Sequence, residues 1–145
     1  MKFTIVSVLL AAASALAFPF NVERRNSIQI SDLWAKASAT GAAMHFIVTD
    51  PNYPEDTPTD CNLIWSYGSS PKGNARCNNG QYYIRFPDGP VDLKSFTLEL
   101  ERVSGPIQEK GQAKLTSKSL WECVDNPQDA VQLDCKYLGV LSMNV

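Results

Sequence analysis

Residues 96–103 read FTLELERV, and the order of those side chains decides the fold class. Phe96, Leu98 and Leu100 alternate with Thr97, Glu99 and Glu101. A period of two gives one apolar and one polar face only on an extended chain; a helix would scatter the same residues around its axis. The stretch therefore predicts a half-buried strand of an antiparallel sheet, with Glu99 and Glu101 facing solvent.

The same period recurs on both sides of it. Ile28 and Ile30 share a face of a short segment, Ser27–Ile30, and Met44, Phe46 and Val48 alternate with His45, Ile47 and Thr49. Tyr82, Ile84 and Phe86 oppose Tyr83 and Arg85. The C-terminal LGVLSMNV is apolar on both faces and predicts a more deeply buried strand. Asn79-Gly80 and Asp88-Gly89 are turn dipeptides of the hairpin kind, and the three prolines of DPNYPEDTPTD (50–60) mark a surface loop. Gly105-Pro106 separates FTLELERV from KLTSKSLW. No segment sustains a helical period and no repeat or linker divides the chain. The prediction is one all-β domain, a compact antiparallel β-barrel or sandwich.

The N-terminus bears on the compartment. Lys2, then an uncharged apolar run from Phe3, then Ala15-Leu16-Ala17 has the layout of a secretory signal peptide over residues 1–17. The run is shorter than the roughly 20 residues that span a bilayer. Arg24-Arg25 closes a short pro-segment (18–25) at a dibasic site of the kind that processing proteases cut, which makes 26–145 the expected mature domain. Loss of residues 1–25 removes Lys2, Glu23, Arg24 and Arg25, leaving 10 basic and 14 acidic residues and a net charge of −4. No basic cluster remains for nucleic acid or for an anionic membrane surface.

In an exported chain, four cysteines read as two disulfides. Three pairings are possible on paper. Short loops close most readily, which favours Cys61–Cys77 and Cys123–Cys135; a loop of about 16 residues is stabilised by about 3 kcal/mol on the chain-entropy estimate. No C-x-x-C is present and His45 is the single histidine, so the spacing offers no zinc site. Two disulfides also leave no free thiolate as a nucleophile.

The order of these strings resembles a known family: the fungal secreted proteins named for the major allergen of Alternaria alternata. The matching features are the Ile-rich start leading into DLWAKA, and Phe46, Val48 and Asp50 in HFIVTDPNY. They continue with Cys61, Cys77 before YYIRF, FTLELERVSG, and the close pair Cys123 and Cys135. The resemblance runs from Ile28 to Val145. It implies a compact β-barrel or sandwich with two local disulfides, secretion, and activity as an effector, elicitor or allergen. Several such proteins bind host defence proteins, so the resemblance implies host extracellular proteins as partners. The resemblance supplies no catalytic residue and implies no cofactor. The founding allergen carries a further N-terminal cysteine that links a dimer. Here no cysteine precedes Cys61, so the expected state is a monomer or a non-covalent dimer.

Read for catalysis, the chain offers little. A Ser-His-Asp arrangement or a ribonuclease-like pairing with Arg85 or Arg102 would have to use His45, which sits in a strand pattern. Asp50, Glu55, Asp56 and Asp60 form an acidic loop without the glycine and spacing of a calcium motif, so solvated charge is the simpler reading. Aromatics in loops point instead to binding: Tyr67 in the first disulfide loop, with Lys72 and Asn74 of the same loop as a candidate surface, and Tyr53 in the Pro-rich loop. Trp65 and Trp121 lie beside cysteines, where packing on the cystine competes with an interface role. The expected activity is protein binding outside the cell, with carriage of a small apolar ligand inside a barrel as the alternative.

Overall fold

The computed structural model describes residues 26–126 and 128–145, so the expectations placed on Ala17, Arg24 and Arg25 lie outside the described residues. Among the described residues nine strands carry the fold: β1 (Ile28–Ala37), β2 (Gly41–Thr49), β3 (Thr59–Ser66), β4 (Tyr82–Arg85), β5 (Ser95–Arg102), β6 (Lys110–Thr116), β7 (Trp121–Asp125), β8 (Leu133–Tyr137) and β9 (Leu141–Met143). They form a six-stranded antiparallel sheet in the order β3-β2-β1-β8-β7, with β9 beside the first half of β1, and a three-stranded sheet β4-β5-β6. The sheets are not closed into a barrel: the fold is a sandwich. Among the described residues no helix is long and apolar enough to cross a membrane.

β1 shows how the larger sheet is built. Its register against β2 slips by one residue between Ser31 and Trp34, and Asp32 there takes a left-handed conformation (φ 50°). Aspartate tolerates that conformation better than most residues. The extra residue is a β-bulge, and it resets the phase: Ile28 and Ile30 point inward before it, and Leu33, Ala35 and Ala37 after it. The strand thus runs well past Ile30, where the sequence expectation ends it.

The core fills the space between the sheets. Phe96 meets Trp121 edge-on at 5.6 Å, and Phe86 links Phe96 (5.9 Å) to Trp65 (6.2 Å), so four rings bridge one sheet to the other. Both tryptophans are core residues; Trp121 Nε1 donates to Leu93 O (2.7 Å). At one side, residues 75–79 join the two sheets. Cys77 N donates to Tyr82 O and Ile84 N to Ala75 O, while Asn78 N donates to Asp60 O on β3. The Cys61–Cys77 disulfide locks that seam, and Asn79-Gly80 makes the tight turn into β4, with Gly80 at φ 74°. The second disulfide, Cys123–Cys135, joins directly opposed residues of β7 and β8. At the other side β6 crosses the C-terminus so closely that a Cβ on Gly111 would lie 2.4 Å from Asn144 O.

Two expectations change in detail. Glu99 does point outward, yet it is only 5% exposed, because β5 is the central strand and the Lys110 and Gln112 side chains of β6 meet its carboxylate. The C-terminal segment is half-buried and not covered on both faces: Leu141 and Met143 point inward, while Leu138 and Val140 are exposed.

Candidate functional site: an open sheet face and a buried acidic cluster

Alternation places every second residue of β1, β2 and β3 on the outer face of the large sheet, where no other layer covers them. Cross-strand register sets the rows. Lys36, Ala43 and Ile64 form one, and Trp34, His45 and Asn62 the next. Ile64 is 87% exposed, the most exposed large apolar residue described. Beside it lies a shallow, almost wholly apolar groove of about 370 Å³, floored by Gly41 and Ala43 and flanked by Trp34 and Val131. Small residues on the middle strand leave the depression; the larger ones on either side form its walls.

His45 sits at the end of this groove in a fixed setting. Its ring stacks on Trp34 (5.6 Å between centroids), its Nδ1 meets Asn62 Oδ1 at 2.9 Å, and its Nε2 meets Asp32 Oδ2 at 3.1 Å. The bulge is what allows Asp32 to reach the same face as Trp34. Lys36 Nζ lies over the Trp34 ring at 5.3 Å. Both ring nitrogens are thus occupied by an amide and a carboxylate, with no hydroxyl nucleophile between them. Arg85, a candidate partner for His45, lies on the outer face of the other sheet, paired with Glu101 and stacked on Tyr83. The two residues sit on opposite sides of the sandwich.

The residues expected to bind are divided. Tyr67, Lys72 and Asn74 all lie on the first disulfide loop with Tyr67 well exposed, and Tyr67 borders a small depression with Lys94 and Asp125. Tyr53 is half-buried and makes contacts within the molecule. Its hydroxyl accepts from Ile107 N (2.8 Å) and donates to Ile107 O, and the Arg102 guanidinium stacks on its ring at 3.3 Å. Sequence reasoning singles out neither Trp34 nor Ile64. Ile64 is legible there all the same: in Cys61-Asn62-Leu63-Ile64-Trp65 it is the one apolar residue in the polar phase.

A second constellation closes one end of the sandwich. Asp50, at the end of β2, accepts from the Tyr82 hydroxyl (2.6 Å) and from Asn52 N (2.9 Å). Arg102 is buried; its Nη1 donates to Tyr82 Oη (2.8 Å) and Asp56 Oδ2 (2.9 Å), and its Nε to Ser104 O (2.9 Å). Two carboxylates of the acidic loop are therefore built into the fold. Glu109 is 2% exposed, and neither of its oxygens meets a hydrogen-bond donor. Burial, and next the adjoining Asp50 carboxyl, push the Glu109 carboxyl up to about 8. For Asp50, burial acts upward but is outweighed by hydrogen bonds from Glu109, Tyr82 and Asn52 and by the Arg102 charge, so it stays below the usual carboxylate range. Burial and the bond to Asp50 hold the Tyr82 phenol well above its ordinary value.

Arg102 and Glu109 of this cluster also line a polar cleft of about 580 Å³, together with Arg76, Tyr83, Glu101 and Lys110. A carboxyl with a raised pKa beside a cleft is the signature of a general acid. Glu109 lines that cleft, but in this structure both of its carboxyl oxygens are turned away from solvent. Among the described residues no group of three His, Cys, Asp or Glu side chains is arranged to hold a metal ion. Comparison with protein-family models, with curated proteins and with solved structures finds no match to this chain.

Proposed function

We propose that the protein is exported and acts by binding a protein outside the cell, with the outer face of β1–β3 as its recognition surface. One observation carries this reading: Ile64 stands almost fully exposed beside an apolar groove walled by Trp34. An apolar knob and socket in open water are unfavourable for an isolated chain and match the aromatic and aliphatic anchors of protein interfaces. The rigid setting of the face supports recognition, since His45, Asp32 and Asn62 hold one another and lose little freedom on contact. Two disulfides are compatible with export. The resemblance to fungal effector and allergen proteins leads to host extracellular proteins as the partner class. Tyr67, Lys72 and Asn74 form an adjoining candidate surface on the disulfide loop.

The test is capture from plant extracellular fluid by the folded protein, compared with Ile64→Lys and Trp34→Ala. The expected result is a partner whose affinity falls about thirtyfold or more with either change, the range of a central interface residue. Equal capture by all three proteins, or by a reduced and alkylated copy, would place recognition elsewhere or deny it.

A further inference from the structure

The end cluster contains a carboxyl group with no visible reason to be tolerated. Glu109 is buried on the approach to β6 with both oxygens unpartnered, and a second carboxyl, Asp50, acts on it along with Asn52 and Arg102. Two buried carboxylates side by side repel strongly, and an unpaired buried charge is costly. The surrounding groups show how the conflict resolves. From the loop after β2 come Asp50, Asn52 and Asp56; from β4, Tyr82; from β5, Arg102; at the cleft wall stand Arg76, Glu101 and Lys110. Arg102 is the one buried cation of the cluster, and its Nη1 is already shared between Asp56 and Tyr82. Tyr82 has a single hydrogen to give, and it goes to Asp50. Asp50 therefore has close donors in the phenol and the backbone N of Asn52, whereas the Glu109 oxygens accept no close hydrogen bond and have only the Asn52 side chain acting to favour their charge besides Arg102.

We infer that Asp50 and Glu109 share a single proton, carried on Glu109 and donated to Asp50, which clasps the 50–58 loop to the 103–109 loop and loosens as the surroundings become alkaline. The two loops belong to different sheets, so this proton ties the sheets together at one end. Its neighbours point to the consequence of losing it. Arg102 N donates to Glu109 O (2.8 Å), and Ile107 N donates to Tyr53 Oη, so movement of Glu109 strains both ties and widens the adjoining cleft. The direction in pH follows from the carboxyl's shift, from an ordinary 4.5 up to about 8. A folded-state value above the unfolded one gives stability that is whole below pH 4.5 and declines as pH rises toward 8.

The experiment is thermal unfolding of the folded, disulfide-bonded protein between about pH 5 and 8.5, beside Glu109→Gln and Asp50→Asn, with the Glu109 side-chain carbon followed by NMR. In the wild type, unfolding near pH 6 should release about one proton from this pair, and the melting temperature should fall by several degrees across the range. In E109Q the new side-chain amide supplies the hydrogen permanently, so that variant should lose the slope while remaining folded. D50N should flatten the slope as well, because an amide donor then meets an ionised Glu109. The Glu109 resonance should titrate far above the ordinary glutamate range in the wild type. Equal slopes in wild type and E109Q, or a Glu109 titration in the ordinary range, would overturn the shared proton. So would a slope abolished by a chelator, which would put a cation between the carboxylates.

Discussion

The two outward faces of the sandwich are built from the same alternating pattern and finished in opposite ways. On the three-stranded sheet the polar side chains pair with one another: Thr97 donates to Asp88 (2.6 Å), which also meets Lys114 (3.4 Å). Glu99 meets Lys110 and Gln112 at 3.3 Å each, Arg85 pairs with Glu101, and Tyr83 lies between the Arg76 and Arg85 guanidinium groups. The side chains themselves make a lid over β5. On the six-stranded sheet the outer face ends in Trp34, Ala43, Ile47, Ile64 and Val124, with an open groove among them. A face that satisfies itself has no need of a partner; a face that leaves apolar area in water gains by covering it. The difference separates a face closed by its own side chains from one that leaves apolar area open, and the proposed recognition surface rests on that contrast.

A matched pair of substitutions can break this contrast, and it carries the largest expected effect. Glu99→Lys puts a cation beside Lys110 at a position that is 5% exposed. Reversing a buried, paired charge should cost roughly 3–5 kcal/mol of stability, read by urea unfolding. Ile64→Lys introduces the same side chain on the other face, where exposure is 87%. There the expected change in stability is within about 0.5 kcal/mol, as for other exposed sites. If both lysines cost alike, the two faces do not differ as argued.

The same contrast shows what the sequence can and cannot convey. Alternation in FTLELERV yields the strand and the direction of each side chain, because a period of two needs no knowledge of neighbours. It cannot yield the burial of Glu99, which depends on Lys110 and Gln112 arriving from a strand whose pairing the pattern does not specify. β1 reads short in the sequence for a related reason. Asp32 breaks the alternation, and only the bulge, visible in the slipped pairing with β2, restores it for Leu33, Ala35 and Ala37. The local disulfides are accessible because their loops are short. The Asp50–Glu109 contact is not, since a long stretch of chain separates the two and neither residue carries a local signature. The Pro-rich surroundings of Tyr53 suggest an exposed anchor, and they say nothing of Arg102 folding across its ring.

The end cluster belongs with the self-satisfied side, and Gly105 sharpens that grouping. It holds φ at 91°, and a Cβ there would stand 2.7 Å from the Tyr53 ring. Tyr53 cannot swing aside freely, being held through its hydroxyl by Ile107 and through its face by Arg102. Gly105→Ala should therefore cost about 2 kcal/mol, a left-handed alanine alone accounting for roughly 1–2 kcal/mol. Denaturant unfolding measures it. A neutral result would mean that the Tyr53 clamp is loose and the end cluster is not part of the rigid frame.

The smallest effect is expected at the exposed ion pair Lys94–Asp125, which has the geometry of a strong bond (2.7 Å) and the surroundings of a weak one. Both side chains are more than half exposed, so water and salt screen the attraction, and ordering two free side chains offsets much of what remains. The Asp125 carboxylate does hold the Lys94 ammonium above its ordinary value, but at a solvent-exposed site that direction carries no stability of note. Lys94→Ala should leave the unfolding midpoint in urea nearly where it is, and high salt should erase what difference there is. Set beside Glu99→Lys, this separates two explanations of the three-stranded face. If exposed and covered pairs cost the same to break, charge pairing alone accounts for that face. If the exposed pair is nearly free, then it is the exclusion of water over β5 that makes the ladder count, and the open face across the sandwich lacks that exclusion.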